Sequence, residues 1–198
     1  MKILNLYAGI GGNRKLWKDT HQITAVELDE KIAAIYKQSF PNDNVIVADA
    51  HEYLLDNYKK YDFIWSSPPC QTHSRTNYFT QSIRKRAVYP SMKLYEEIIF
   101  LQNFYKGKYC VENVISYYEP LIKPIQIGRH YVWVNFNLPN IEQPKGQVGG
   151  MNHKEGYNTA NKKSTKEINA VNSELGLHIL NRATDIIIDN KVNQNRLF

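Results

Sequence analysis

The chain has 198 residues, 42% of them hydrophobic and 22% charged, proportions that suit one globular domain with a single sizeable core. No apolar run approaches the roughly 20 residues that span a bilayer. The N-terminus carries no signal-peptide pattern and the two cysteines make no disulfide framework, so neither a membrane protein nor a stapled secreted scaffold is expected, and a reducing, cytoplasmic setting is. The histidines and cysteines fall at no metal-ligand spacing, so no metal is expected, and a formal net charge of +6 suits a polyanionic partner.

Through the first two-thirds of the chain, short apolar runs alternate with amphipathic stretches, the pattern of βαβ units and a mainly parallel sheet. Ile3-Leu4-Asn5-Leu6-Tyr7 predicts a first strand, with Arg14-Lys15-Leu16-Trp17 in a helix after it. Ile23-Thr24-Ala25-Val26 predicts a second strand, followed by a helix near 30–40 in which Ile32, Ile35 and Tyr36 recur at helical spacing. Val45-Ile46-Val47 is a third strand with a helix near 51–57, and Phe63-Ile64-Trp65 a fourth. The polar, basic stretch 72–90 lacks periodicity and is too long for an ordinary connection, so a functional loop is expected. A helix over 91–104 leads to a fifth strand, Tyr109-Cys110-Val111, and the alternating run Tyr131-Val132-Trp133-Val134-Asn135-Phe136 predicts another. Residues 138–165, rich in Gly, Asn and Lys, form a loop region or tiny subdomain. A last amphipathic helix over 173–187 sets Leu175, Ile179 and Ala183 on one face.

Four short segments carry chemistry. The first strand opens into Tyr7-Ala8-Gly9-Ile10-Gly11-Gly12, where glycines let the backbone turn sharply towards a ligand and a helix N-terminus would favour an anion. A purely structural tight turn is the alternative. The second strand ends in Glu27-Leu28-Asp29, and an acid at that tip commonly accepts from a ribose diol. Leu28 would then lie against a purine ring, and Asp49 would accept from its amino group or else cap the helix at His51. Together these outline a nucleoside pocket across three adjacent strand ends. Ser66-Ser67-Pro68-Pro69-Cys70-Gln71 follows the fourth strand, and its prolines stiffen the turn that holds the Cys70 thiol where open α/β sheets place reactive groups. Packing as a small buried hydrophobe is the other fate open to Cys70. The fifth strand runs into Glu112-Asn113-Val114, expected beside Cys70. Such a pair suits attack on an electron-poor ring, with sulfur adding to carbon while the acid serves a ring nitrogen.

In this order the four segments resemble the DNA cytosine-5 methyltransferase family over its whole catalytic core. Asn169-Ala170-Val171 is similar to a further family segment, Gly-Asn-(Ser/Ala)-Val, with Ile168 at the usual glycine. The resemblance implies an α/β fold: a single doubly wound, mainly parallel sheet of the Rossmann-like methyltransferase type, with 1–198 as one domain. It implies S-adenosylmethionine as cofactor, with Tyr7, Ala8, Gly9 and Gly11 at the binding turn, Glu27 on the ribose, Leu28 against adenine and Asp49 on its amino group. Pro68 also belongs to that site, and Asn169 and Val171 close it from the methionine end. Cys70 would add to carbon 6 of a flipped-out cytosine, and Glu112 would bind nitrogen 3 and the exocyclic amine.

Two segments depart from the family. Its Gln-x-Arg-x-Arg strand appears as Ile127-Gly128-Arg129-His130-Tyr131, which leaves Arg129 to hold the cytosine carbonyl oxygen. The usual Gly-Phe-Ser after Cys-Gln is Thr72-His73-Ser74, in which His73 is either a phosphate contact or without special role. Gln71, Ser74, Arg75, Arg84, Lys85 and Arg86 are expected on nucleic acid, with loop 72–90 closing over phosphates and bases. In place of the family's large target-recognition domain stand only residues 138–165, including Lys145, Lys154, Lys162 and Lys163. So small a reader implies a short or relaxed recognition sequence, or a partner protein. The expectation is a monomeric bacterial or phage enzyme acting on DNA, in the manner of a restriction-modification methylase. RNA is the alternative substrate, a non-enzymatic binding module the alternative class, and an NAD-dependent oxidoreductase a weaker rival without a hydride-transfer site.

Overall fold

The computed structural model describes residues 1–77, 88–139 and 171–184. Its strands are β1 (Lys2–Leu6), β2 (Gln22–Glu27), β3 (Asn44–Val47), β4 (Phe63–Ser66), β5 (Lys108–Val114), β6 (Ile125–Ile127) and β7 (His130–Val134). Its helices are α1 (Glu30–Ser39), α2 (Ala50–Asn57), α3 (Lys93–Phe104) and α4 (Ser173–Ala183). The strands form one sheet in the order β3-β2-β1-β4-β5-β7-β6. β1 pairs in parallel with β2 on one side and β4 on the other, and β7 alone runs antiparallel to its neighbours β5 and β6. This is the doubly wound, mainly parallel α/β sheet expected from the alternating pattern. Its strand order reverses between β1 and β4, where such sheets open a crevice at their carboxyl ends.

Successive residues of the central strands feed opposite faces, as the period of two requires. Leu4, Leu6, Ile64, Tyr109 and Val111 pack with Leu94, Ile98 and Leu101 of α3 and Leu54 of α2. Ile3, Phe63, Trp65 and Cys110 face the other way, onto Trp17 and onto Leu175, Ile179 and Ala183 of α4. With both faces covered, the central strands read as near-continuous apolar runs. The acids that follow strands also start helices: Asp29 accepts from the amides of Lys31 and Ile32, and Asp49 from those of His51 and Glu52.

The helix predicted over 14–17 is absent. After β1 the chain makes separate three-residue turns, Gly11 N–H to Ala8 O, Arg14 N–H to Gly11 O and Trp17 N–H to Arg14 O. Gly11, Gly12 and Asn13 are weak helix formers, and Arg14 is drawn inward instead of lying on a helix surface. The Arg14 guanidinium grips both carboxylate oxygens of buried Asp43 at 2.9 and 3.1 Å, reaches Asp19 at 2.7 Å and donates to the Trp17 carbonyl at 2.7 Å. That carbonyl would otherwise have accepted an amide one turn on. β6 was not predicted; three residues ending at Gly128, whose φ is +57°, give too short a pattern to register. The last helix ends at Ala183 within the described residues, and the segments 78–87 and 140–170 lie outside them.

Candidate active site

A cleft of about 530 Å³ opens at the carboxyl ends of β1 to β5 and is lined by Tyr7, Ala8, Gly9, Glu27, Leu28, Asp49, Pro68, Cys70, Gln71, Glu112 and Val171, all expected there. On the nucleoside side, Glu27 ties two strand ends together: its Oε2 accepts from Gly9 N–H at 2.9 Å and its Oε1 from Asp29 N–H at 3.0 Å. Gly9 sits at φ +55°, the left-handed region that glycine enters without cost. Leu28 lies on the rim, largely exposed, and Asp49 caps α2 through Oδ1 while lining the cleft. Gly11 does not line the cleft; at φ +79° it packs so that a Cβ would meet the Phe40 and Tyr36 rings at 2.3 and 2.9 Å. Since no helix follows this turn, its anion-binding amides are those of the turn itself and not of a helix N-terminus.

Beneath the turn lies a polar group that the sequence reading did not single out. Glu97 of α3 is wholly buried; its Oε1 accepts the Tyr7 hydroxyl at 2.5 Å and its Oε2 the Ser66 hydroxyl at 2.5 Å. His51 Nδ1 stands 3.2 Å from the same Oε1. The hydrogen bond to Glu97 is the main cause that raises the His51 pKa, against burial. Burial, with Glu97 behind it, pushes the Tyr7 phenol far above its usual range, so the hydroxyl stays a donor. A signal existed: Glu97 shares the helical face of Leu94, Ile98 and Leu101, where an acid is out of place unless it has partners.

On the reactive side, β4 and β5 are parallel neighbours, so the turn after β4 and the end of β5 meet. The Asn113 amide donates to the Pro68 carbonyl at 2.9 Å and anchors the Pro-Pro turn to β5. Cys70 is half-buried, and its carbonyl accepts from the amides of His73 and Ser74, both at 3.0 Å. Burial raises the Cys70 thiol pKa and the Glu112 charge raises it further. Ser67 Oγ donates to Glu112 Oε2 at 2.9 Å and itself accepts from Trp65 Nε1 at 2.8 Å. His130 Nδ1 lies 2.6 Å from Glu112 Oε1.

Arg129, expected on the carbonyl oxygen, is exposed at the β6–β7 turn and does not line the cleft; His130 does. The hairpin turns at Gly128, and the strand alternation after it directs His130, not Arg129, towards β5. Counting Gln-x-Arg-x-Arg from Gln126 lands on Gly128 and His130, a register that Ile127 to Tyr131 read alone had hidden. His73 is buried, its Nδ1 2.6 Å from the Tyr118 hydroxyl, and its Nε2 has no partner among the described residues. Burial lowers its pKa, so it is held neutral and away from any exposed phosphate. Ser74 bridges to Ser116, and exposed Arg75 borders a separate cleft with Tyr117, Lys123 and Tyr131. Arg84, Lys85, Arg86 and Asn169 lie outside the described residues, as does most of 138–165. Among the described residues no group of three His, Cys, Asp or Glu side chains could hold a metal, and no helix is long and apolar enough to cross a membrane.

The donor set fits an adenosyl group bearing a cationic centre: carboxylate acceptors at the β2 and β3 ends, the apolar Leu28 and Ile32, and glycine backbone left open at Gly9, where a Cβ would meet nothing within 4 Å. A family model described as C-5 cytosine-specific DNA methylase matches residues 1–118. A tRNA (cytosine(38)-C(5))-methyltransferase of Spodoptera frugiperda is 36% identical over 80 residues, 37% of this chain and 24% of that protein. One from Mus musculus is 28% identical over 81 residues, 38% of this chain and 20% of that protein. The chain thus covers about a quarter or less of the length of these relatives. Among solved structures, a mutant DNMT2 of Spodoptera frugiperda overlaps 57% of this chain and 35% of its own with a TM-score of 0.42 at 28% identity. The putative methyltransferase yhhF of Escherichia coli overlaps 67% and 73% with a TM-score of 0.42 at 15% identity.

Proposed function

This chain belongs to the C-5 cytosine-specific DNA methylase family, and from that premise we propose that it methylates carbon 5 of cytosine in a nucleic acid with Cys70 as nucleophile. The observation that carries the reading is the meeting of Cys70 and Glu112, from neighbouring strand ends, in one cleft with the Glu27-tied glycine turn. S-adenosylmethionine, when bound, supplies an electrophilic methyl group. Glu27 and Asp49 would hold its adenosine, Leu28 would cover the purine, and Val171 would close the methionine end. Cys70 sulfur bonds to carbon 6, and the electron pair of the carbon 5–carbon 6 double bond makes carbon 5 nucleophilic. Glu112, fixed by Ser67 and His130, serves nitrogen 3 and the exocyclic amine. Once carbon 5 is methylated its proton leaves to solvent water, the double bond re-forms and the thiolate departs. Because burial and Glu112 hold the resting thiol protonated, the thiolate forms when the base enters and engages the Glu112 charge.

DNA is the substrate we favour, with Gln71, Ser74, Arg75, Arg84, Lys85 and Arg86 on the strand and 138–165 reading a short target. RNA is the second reading, supported by relatives named as tRNA methyltransferases. Transfer of a tritiated methyl group to total DNA and to total tRNA in competition tests both. DNA labelling is expected; labelling of tRNA alone moves the assignment to RNA. Cys70→Ala is expected to abolish transfer on either substrate while S-adenosylhomocysteine affinity by calorimetry stays within about twofold, since general nucleophile loss removes the covalent route and not the cofactor site. Retained turnover removes Cys70 from the mechanism.

A further inference from the structure

His130 stands where the family pattern, counted from Gln126, carries an arginine. The exchange alters the chemistry, because a guanidinium keeps its protons at every working pH and an imidazole does not. We propose that His130 is a positioning residue that shares a proton with Glu112, so that the protonation of this pair sets the pH range over which Cys70 reacts. The inference rests on the reading of Glu112 as the group that serves nitrogen 3.

The geometry fixes one proton between the two side chains. At 2.6 Å, a bare imidazole Nδ1 facing an ionised Oε1 would set two acceptors against each other, whereas a single shared proton gives a charge-assisted hydrogen bond. The proton is confined to the Oε1 edge, since Ser67 Oγ donates to Oε2. Both partners are sheltered, the Glu112 side chain 6% and the His130 side chain 19% exposed. Register supports the contact: β5 and β7 are antiparallel, Val132 stands opposite Glu112, and His130 lies two residues away on the same face.

Balanced as a reaction, the Cys70 thiolate forms the sulfur–carbon 6 bond while the shared proton moves from the pair to nitrogen 3. After carbon 5 is methylated and its proton is lost to water, the double bond re-forms, the sulfur–carbon bond breaks, and nitrogen 3 returns its proton to the pair. Loss of that proton at rest leaves the Glu112 charge unbalanced beside Cys70, which already feels it. Other titratable or charged groups face the pair. Cys110 of β5 also feels Glu112, Arg129 and Tyr131 flank His130, and His73 and Lys93 line the same cleft with Glu27 and Asp49 across it.

The test compares the wild-type chain with His130→Arg and His130→Gln, each first shown to fold by circular dichroism and to bind S-adenosylhomocysteine. Alkylation of Cys70 by iodoacetamide, assigned by peptide mass spectrometry, is followed against pH without nucleic acid. The fixed charge of His130→Arg is expected to move the profile to lower pH, and His130→Gln to move it to higher pH; three superimposable profiles overturn the proposal. In methyl transfer, the wild type is expected to lose rate on an alkaline limb that His130→Arg lacks. His130→Gln should be slower by about 10²-fold, the scale of a lost proton-transfer partner. A His130→Gln variant with wild-type rate and pH profile also overturns it. A wild type that methylates neither DNA nor RNA defeats the proposed function, while alkylation still decides the role of His130.

Discussion

Tyr7 holds φ at +54°, a region where a residue with a side chain costs on the order of 1–3 kcal/mol. Its hydroxyl bond to buried Glu97 is what keeps it there, and Ser66 and His51 complete the same carboxylate. Glu97→Gln leaves an amide NH₂ facing a hydroxyl donor, and the displaced bond is expected to lower unfolding free energy by about 1–3 kcal/mol. Because Tyr7 opens the cofactor turn, S-adenosylhomocysteine affinity should fall as well. Denaturant unfolding and calorimetry check this, and unchanged values in both would separate Glu97 from the turn. Cys70, Glu112 and Glu27 were legible because each follows a strand with a distinctive neighbour. Glu97 was not, since a buried acid and a solvated acid look alike in a helix written KLYEEIIFLQNF. Arg129 misled because side chain type outweighed register: the alternation set by the turn at Gly128 chose the histidine instead.

The element that most changed between expectation and fold is the stretch after β1. Helical spacing of Arg14 and Trp17 suggested a helix, yet the buried ion pair of Arg14 with Asp43 and the closed turns leave none. The sheet face there is covered by α4, brought in from near the chain's end, with Leu175 and Ile179 packed on Ile3, Trp17 and Trp65. Such long-range replacement has no local trace, whereas α1, α2 and α3 were readable from their own periodicity and cover the strands that adjoin them. Contact at the replaced position is close: a Cβ on Gly176 would meet the Asn13 carbonyl oxygen at 2.3 Å, a backbone atom with no rotamer to yield. Gly176→Ala therefore sets better helix propensity, worth about 1 kcal/mol, against overpacking that costs about 1–3 kcal/mol. Overpacking is expected to prevail, with a lower unfolding midpoint and weaker S-adenosylhomocysteine binding as the Asn13 side of the cleft shifts. A stabilised Gly176→Ala would show that α4 is not seated against the turn.

At the scale of the molecule, burial of ionisable rings bounds the pH range of the fold. The alternation of apolar runs made the parallel sheet legible, but the number of rings it buries depends on packing that spacing does not show. Burial raises the pKa of Tyr7, Tyr36, Tyr53, Tyr105, Tyr109 and Tyr118. The folded chain then keeps phenolic protons that the unfolded chain releases near pH 10. Folded binding more protons than unfolded makes stability fall as pH rises, so loss begins near pH 10. His21, His73 and His178 are lowered, chiefly by burial. Their neutral forms are favoured in the fold, so their contribution is present above the unfolded value of about 6.5 and is lost as pH falls through the folded values. His51 acts in the opposite sense: raised by Glu97, it contributes below about 6.5 and fades as pH rises through its folded value. The expected profile of Tm against pH is a plateau between about 7 and 9.5, a shallow acid limb in which His51 offsets part of the loss, and a steeper alkaline limb carried by more groups. Thermal unfolding followed by circular dichroism from pH 5 to 11 checks it, with tyrosinate absorbance recorded in parallel. Tyrosinate appearing before Tm declines would mean that these phenols ionise in the folded chain, and the packing described for them would then be wrong.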